Sequence, residues 1–149
     1  MVRMLVLLIV TLLPPCILGH AFGHFNVWVP GWDDRNCEKP GWGYAEKVDG
    51  NRGCHTFTSS SASWQLHWKK HRGDRYPSKY GICEAQFWKQ PQCPGSPFAV
   101  QKHVNTFDII GKCHHAEEDG TVTGHGNLTG EPIDIWSMKI QCHKHWYGE

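Results

Sequence analysis

Charge, internal repetition and long apolar runs are scarce in this chain. Only 19% of its 149 residues are charged, and they nearly balance, with 15 Lys and Arg against 14 Asp and Glu. No polybasic stripe is available for tight electrostatic binding to nucleic acid or to an anionic membrane surface. With no repeat or biased tract, and with 40% hydrophobic and 12% aromatic residues, the composition excludes disordered, collagen-like and coiled-coil chains. The signatures of several enzyme classes are also missing. There is no Gly-x-Ser-x-Gly elbow, no His-Glu-x-x-His zinc helix and no phosphate-binding loop, so serine hydrolase, zincin and nucleotide hydrolase readings lack a motif.

What is present begins at the N-terminus. Arg3 precedes an apolar run over residues 4–13 interrupted only by Thr11, Pro14-Pro15 ends it, and the small residues Gly19 and Ala21 follow. Too short to span a bilayer, this reads as a secretory signal over residues 1–19, leaving residues 20–149 as a single disulfide-rich domain, secreted and extracellular. Removal takes Arg3 and no acidic residue, so the mature chain carries zero formal charge. Cys16 goes with the signal and leaves an even set: Cys37, Cys54, Cys83, Cys93, Cys113 and Cys142. Three disulfides are expected, with the connectivity open. The sequon Asn127-Leu128-Thr129 lies in a Gly-rich stretch and is a glycosylation candidate.

The mature chain reads mostly as strands. Residues 24–29 form a first strand closed by Pro30-Gly31, residues 31–53 a disulfide-pinned loop with at most a short hairpin, and residues 80–88 a strand before a loop over 91–97. Residues 107–115 and 121–128 flank Glu117-Glu118-Asp119-Gly120, a hairpin turn with Gly where a positive φ is needed. A last strand over residues 133–142 carries an irregularity near Trp136-Ser137, where the alternation slips. Residues 56–71 are ambiguous. Trp64, Leu66 and Trp68 alternate as on a strand, yet Thr58 to Ser61 could cap a helix with Trp64 and Trp68 on one face.

Eleven histidines invite a metal reading. Cys113-His114-His115 and Cys142-His143-Lys144-His145 have zinc-like spacing, with His143 and His145 on one side of a strand, but disulfides compete for the same sulfurs. Signal cleavage that exposes His20 or His24 would create a terminal copper brace, whereas a chain starting at Phe22 would not. No cofactor is expected outright. Eight Trp cannot all be interior in so small a domain, and Trp32 and Trp42 are candidates to stack on sugars or on a partner protein.

Trp64-Gln65-Leu66-His67, Tyr76-Pro77-Ser78-Lys79-Tyr80 and Glu84 together resemble the helix end and following strand of the small guanyl-specific fungal ribonucleases. Val122-Thr123-Gly124-His125-Gly126 is similar to that family's strand bearing its general acid. The resemblance implies an α+β fold with a helix over residues 58–70 packed on an antiparallel sheet; the alternative is an all-β sandwich. It also implies an active-site Tyr76, a binding role for Lys79, a base-reading Glu84 and a general-acid His125. The chain departs from the pattern at Ser78, where the family has His, at Asp108, where Arg is expected, and near Pro97-Phe98, where no Glu stands. RNA cleavage needs a base, an acid and a cation, and only the acid has a candidate.

A ribonuclease-like scaffold without its catalytic set resembles the RNase-like secreted effectors of fungal pathogens. It implies a monomeric virulence-type protein that binds a host protein or RNA, with no DNA or membrane partner and with translocation into host cells open. The competing expectation is an active secreted ribonuclease in which His67, His71 or His103 supplies the base. N-terminal sequencing of the secreted protein is expected to show a chain that starts after residue 19; a product retaining Met1 to Leu13 would contradict the signal reading.

Overall fold

The computed structural model describes residues 25–38, 45–68, 81–124 and 133–143. Its strands, in chain order, are β1 (Asn26–Val29), β2 (Gly31–Trp32), β3 (Glu46–Asp49), β4 (His55–Ser61), β5 (Ser63–Trp64), β6 (His67–Trp68), β7 (Ile82–Trp88), β8 (Ala99–Lys102), β9 (His114–Ala116), β10 (Val122–Gly124) and β11 (Ile135–His143). They make three antiparallel sheets: β3-β1-β6, then β10-β9-β5-β2, then β4-β11-β7-β8. No helix occurs among the described residues, so the class is all-β and the expected α+β arrangement, with its helix over residues 58–70, is corrected.

The reason lies in the side chains of that segment. Its serines bond to backbone groups across the sheet instead of capping a helix. Ser61 Oγ accepts from Trp32 N at 3.0 Å and lies 3.2 Å from Trp32 O, and Ser63 Oγ donates to Asp34 O. The alternation decides the rest: Trp64 and Leu66 are fully buried, and Trp68 packs against the core with its ring stacked on Phe25 at 4.8 Å.

One bent ribbon connects the first two sheets. β1 pairs with β6 in the first sheet and β2 with β5 in the second, and the chain crosses between them at Pro30, which has no N–H to continue a ladder. Gln65 N donates to Pro30 O at 3.2 Å at the crossing. The ribbon's buried side delivers Trp64 onto Phe87 of the third sheet, ring centroids 4.2 Å apart, so all three sheets share one core with Val27, Val48, Ile135, Met138 and Ile140. Each such side chain, fully buried, contributes about 1.5–3 kcal/mol.

The turn over residues 117–121 closes β9 onto β10: Glu117 N donates to Thr121 O and Gly120 N to Glu117 O. Gly120 has φ 84°, and a Cβ there would lie 2.3 Å from Phe98 O, so both conformation and space require glycine. β11 shifts register between Ile135 and Ser137, at the expected irregularity. Within the expected loop over residues 31–53, however, β3 is a full partner of β1. Residues 107–112 are consecutive turns, with Gly111 N bonded to Leu66 O, so the strand expected from residue 107 starts only at His114.

The six cysteines form three disulfides, as the even count implied. Cys37–Cys113 ties the segment after β2 to the start of β9, Cys54–Cys93 ties the start of β4 to the loop between β7 and β8, and Cys83–Cys142 joins directly opposed residues of β7 and β11. Closing a loop of 76 residues removes much of the unfolded chain's freedom. Replacing both partners, Cys37→Ala with Cys113→Ala, is expected to lower the unfolding free energy by about 2–5 kcal/mol. Denaturant titration checks this, and unchanged stability would contradict the staple's role.

Candidate functional site

The outward side of the third sheet carries the site. Along β7, Cys83, Ala85 and Phe87 face the core, while Glu84 and Gln86 alternate to the other side. Register then places neighbours on that side: Glu84 stands between Lys102 of β8 and Gln141 of β11, Gln86 between Val100 and Lys139, and Ile82 opposite His143. Glu84 Oε1 accepts from Gln86 Nε2 at 2.8 Å, and the same amide nitrogen lies 3.4 Å from Gln141 Oε1. The carboxylate and two amides form one hydrogen-bonded ladder flanked by lysines. Among the described residues, no carboxylate stands within ion-pair distance of Lys102 or Lys139.

The loop after β7 bounds this face. Ser137 Oγ accepts from Cys93 N at 3.0 Å and donates to Gln90 O at 2.7 Å, while Gln92 N donates to Thr56 Oγ1 at 2.9 Å. Lys89 Nζ lies 3.8 Å above the Phe98 ring, and a cleft of about 180 Å³ opens between Trp88, Lys89, Pro94 and Phe98.

Of the residues singled out from sequence, Glu84 and His143 are on this face. Trp32 is not: it is half-buried on β2 in the second sheet, its backbone bonded to Ser61 and Ala62. Tyr76, Lys79, His125, Trp42, Asn127, His20, His24 and His145 lie outside the described residues. Lys102, Lys139, Gln86 and Gln141 were missed, since only register across separate strands brings them beside Glu84. Among the described residues, no group of three or more His, Cys, Asp or Glu is placed to hold a metal ion, and the sulfurs of Cys113 and Cys142 are committed to disulfides.

A second polar cluster lies inside the β9–β10 hairpin. His115 is fully buried, and its Nε2 is 2.9 Å from Glu117 Oε1 and 2.5 Å from Thr123 Oγ1; Arg35 Nη1 lies 3.5 Å from Glu117 Oε2. A hydroxyl–imidazole–carboxylate relay needs the hydroxyl and the carboxylate on opposite ring nitrogens. Here both meet Nε2, and buried Nδ1 has no hydrogen-bond partner. The arrangement braces the hairpin instead of activating Thr123. It also holds the Glu117 carboxyl below the usual 4.5, chiefly through the His115 hydrogen bond.

His114, on the other side of β9, is buried too, with Nε2 3.1 Å from Ile109 O. Burial lowers its pKa from the ordinary 6.5, outweighing the backbone bonds to Ile109 and Thr123 that raise it.

No family model, curated protein or solved structure matches the chain.

The His114 displacement sets a pH dependence. Below pH 6.5 the unfolded ring takes up a proton that the folded ring refuses, so this contribution to stability is complete above 6.5 and is lost as pH falls toward the lowered folded value. The unfolding free energy from denaturant titration is expected to fall as pH drops below 6.5, by about 1.4 kcal/mol for each pH unit over which only the unfolded ring is charged. His114→Gln is expected to flatten that slope. Glu117 acts in a separate window below 4.5, so an unchanged slope in His114→Gln would contradict the assignment.

Proposed function

We propose that this is a secreted, effector-type binding protein that engages a host macromolecule without cleaving it, and that the partner is RNA. The single observation carrying the reading is the Glu84, Gln86 and Gln141 ladder beside two lysines that have no carboxylate within ion-pair distance among the described residues. Carboxylate and amide groups read the edges of unstacked bases, while lysines take phosphates and set the register of the backbone. The three disulfides fit an oxidising, extracellular compartment, and among the described residues no helix is long and apolar enough to cross a membrane.

The reading keeps part of the ribonuclease resemblance and drops the rest. Glu84 on an open sheet face is consistent with a base-reading carboxylate; the helix that the resemblance implied is absent from residues 58–68. His67, offered as a replacement base, stands on β6 of the first sheet, whereas Glu84 is on β7 of the third. With a neutral mature chain, affinity is expected to be modest and to rest on few phosphate contacts.

Fluorescence anisotropy with a short single-stranded RNA tests this. The double variant Lys102→Gln, Lys139→Gln is expected to weaken binding at low salt about tenfold or more and to reduce the slope of log K against log salt by about 1.4. RNA recovered intact supports a binding role, whereas turnover of the RNA overturns it. An unchanged affinity in the double variant, or no RNA binding at low salt, overturns the assignment of this face and leaves a protein partner to be sought.

A further inference from the structure

The first sheet has an open side of different character. Val27 and its neighbours Val48 and Trp68 face the core, so Trp28 and its neighbours Lys47 and His67 point outward together, in a row across β3, β1 and β6. Three strands side by side make this row about 10 Å wide. Trp28 is 40% exposed, and its register partners on the two neighbouring strands are Lys47 and His67. One pleat along, Asp49 stands opposite Asn26 on the same side, and Lys47 Nζ lies 3.4 Å from Asp49 Oδ1. At the other end, His67 Nε2 is 2.9 Å from Gln65 Oε1.

The row runs into a cleft of about 160 Å³ that shares Lys47 and Asp49 with it and is closed by Arg52, Gly53, Cys54 and His55. That cleft is built in advance of any ligand. Asn51 N donates to Ile140 O at 2.9 Å, and Asn51 Oδ1 accepts from Cys142 N at 2.7 Å, so the turn forming one wall is bonded to β11. Cys54 is tied to Cys93, and His55 is fixed by Glu46, whose other oxygen accepts from Thr58 N. Gly50 lets the turn lie against the core, since a Cβ there would fall 1.9 Å from the Phe25 ring.

We propose that this side of the first sheet binds a neutral glycan chain, with one sugar ring on Trp28 and the next in the cleft beside Lys47 and Asp49. The ion pair argues for a neutral ligand. Lys47 and Asp49 compensate each other, in contrast to Lys102 and Lys139 of the third sheet, so a donor and an acceptor stand together on this side, and Arg52 adds further donors where the cleft closes. A sugar ring has an apolar C–H face that buries against an indole, and hydroxyls that both donate and accept. A hydroxyl set between an ammonium and a carboxylate can make charge-assisted bonds to both, and these are stronger than neutral ones. An exposed aromatic beside paired charges and a preorganised cleft supplies each of these contacts.

The proposal is independent of the RNA reading, because the two faces belong to different sheets. Titration of the isotope-labelled protein with chitohexaose, cellohexaose and laminarihexaose, followed by amide and indole NMR, tests it. At least one oligosaccharide is expected to shift the Trp28 indole together with residues of the cleft. Trp28→Ala is expected to weaken that binding at least about tenfold with amide dispersion retained, and Asp49→Ala to weaken it with the indole still present. Lys102→Gln with Lys139→Gln is expected to leave it unchanged. No shift with any of the three, shifts that survive Trp28→Ala, or binding only to an anionic heparin hexasaccharide would overturn the proposal.

Discussion

The rest of the structure depends on the bend of one two-stranded ribbon at Pro30. Without an N–H at that position the ladder between β1 and β6 cannot continue in one plane, and the pair turns into β2 and β5 of a second sheet. Because side chains alternate along each strand, the bend puts Val27, Val29, Trp64 and Leu66 inside and leaves Trp28 and His67 outside. Trp64 then meets Phe87 and draws the third sheet onto the same core. Sheets of two- to four-residue strands have little stability of their own. They cohere because they share one interior and because Cys37–Cys113 and Cys54–Cys93 pin segments that lie outside the ladders, while Cys83–Cys142 ties two strands already paired.

Parts of this were legible in the amino-acid order, for identifiable reasons. The acidic turn before Gly120 combines a polar run, a glycine and flanking apolar strands, so its hairpin is written locally. The slip at Trp136-Ser137 is visible because the alternation on either side of it is strict. The even cysteine count implied three bridges, but their pairing depends on which strands become neighbours. Residues 58–68 could not be read locally at all. The serines that qualify as helix caps are equally able to bond to a neighbouring backbone, and the neighbour, Trp32, is 29 residues away. β3 was hidden for a related reason: it borrows its place in the sheet from β1, and its own surroundings are rich in glycine and turn residues.

The candidate sites follow the same division. Glu84 stood out by its neighbours in sequence, but the lysines and amides beside it come from β8 and β11 and meet it only through register. Abundance of tryptophan signalled that some indoles must be exposed, and tertiary structure selected Trp28, not Trp32. The two faces that result differ in charge arrangement: one has lysines without described carboxylate partners around a carboxylate–amide ladder, the other has an ion pair beside an indole. Inside, His115 and Glu117 show how a histidine-rich chain uses buried rings as braces, with no relay geometry around them.

The central claim is that three small sheets form one cooperative unit around the core that the ribbon delivers. Native-state hydrogen exchange tests it most directly. The account predicts that core-strand amides of the first and second sheets, such as Val27 and Trp64, share the opening free energy of Ala85 and Ile140 in the third. Exchange of the first or second sheet through separate, lower-energy openings, with β7 and β11 still protected, would contradict it.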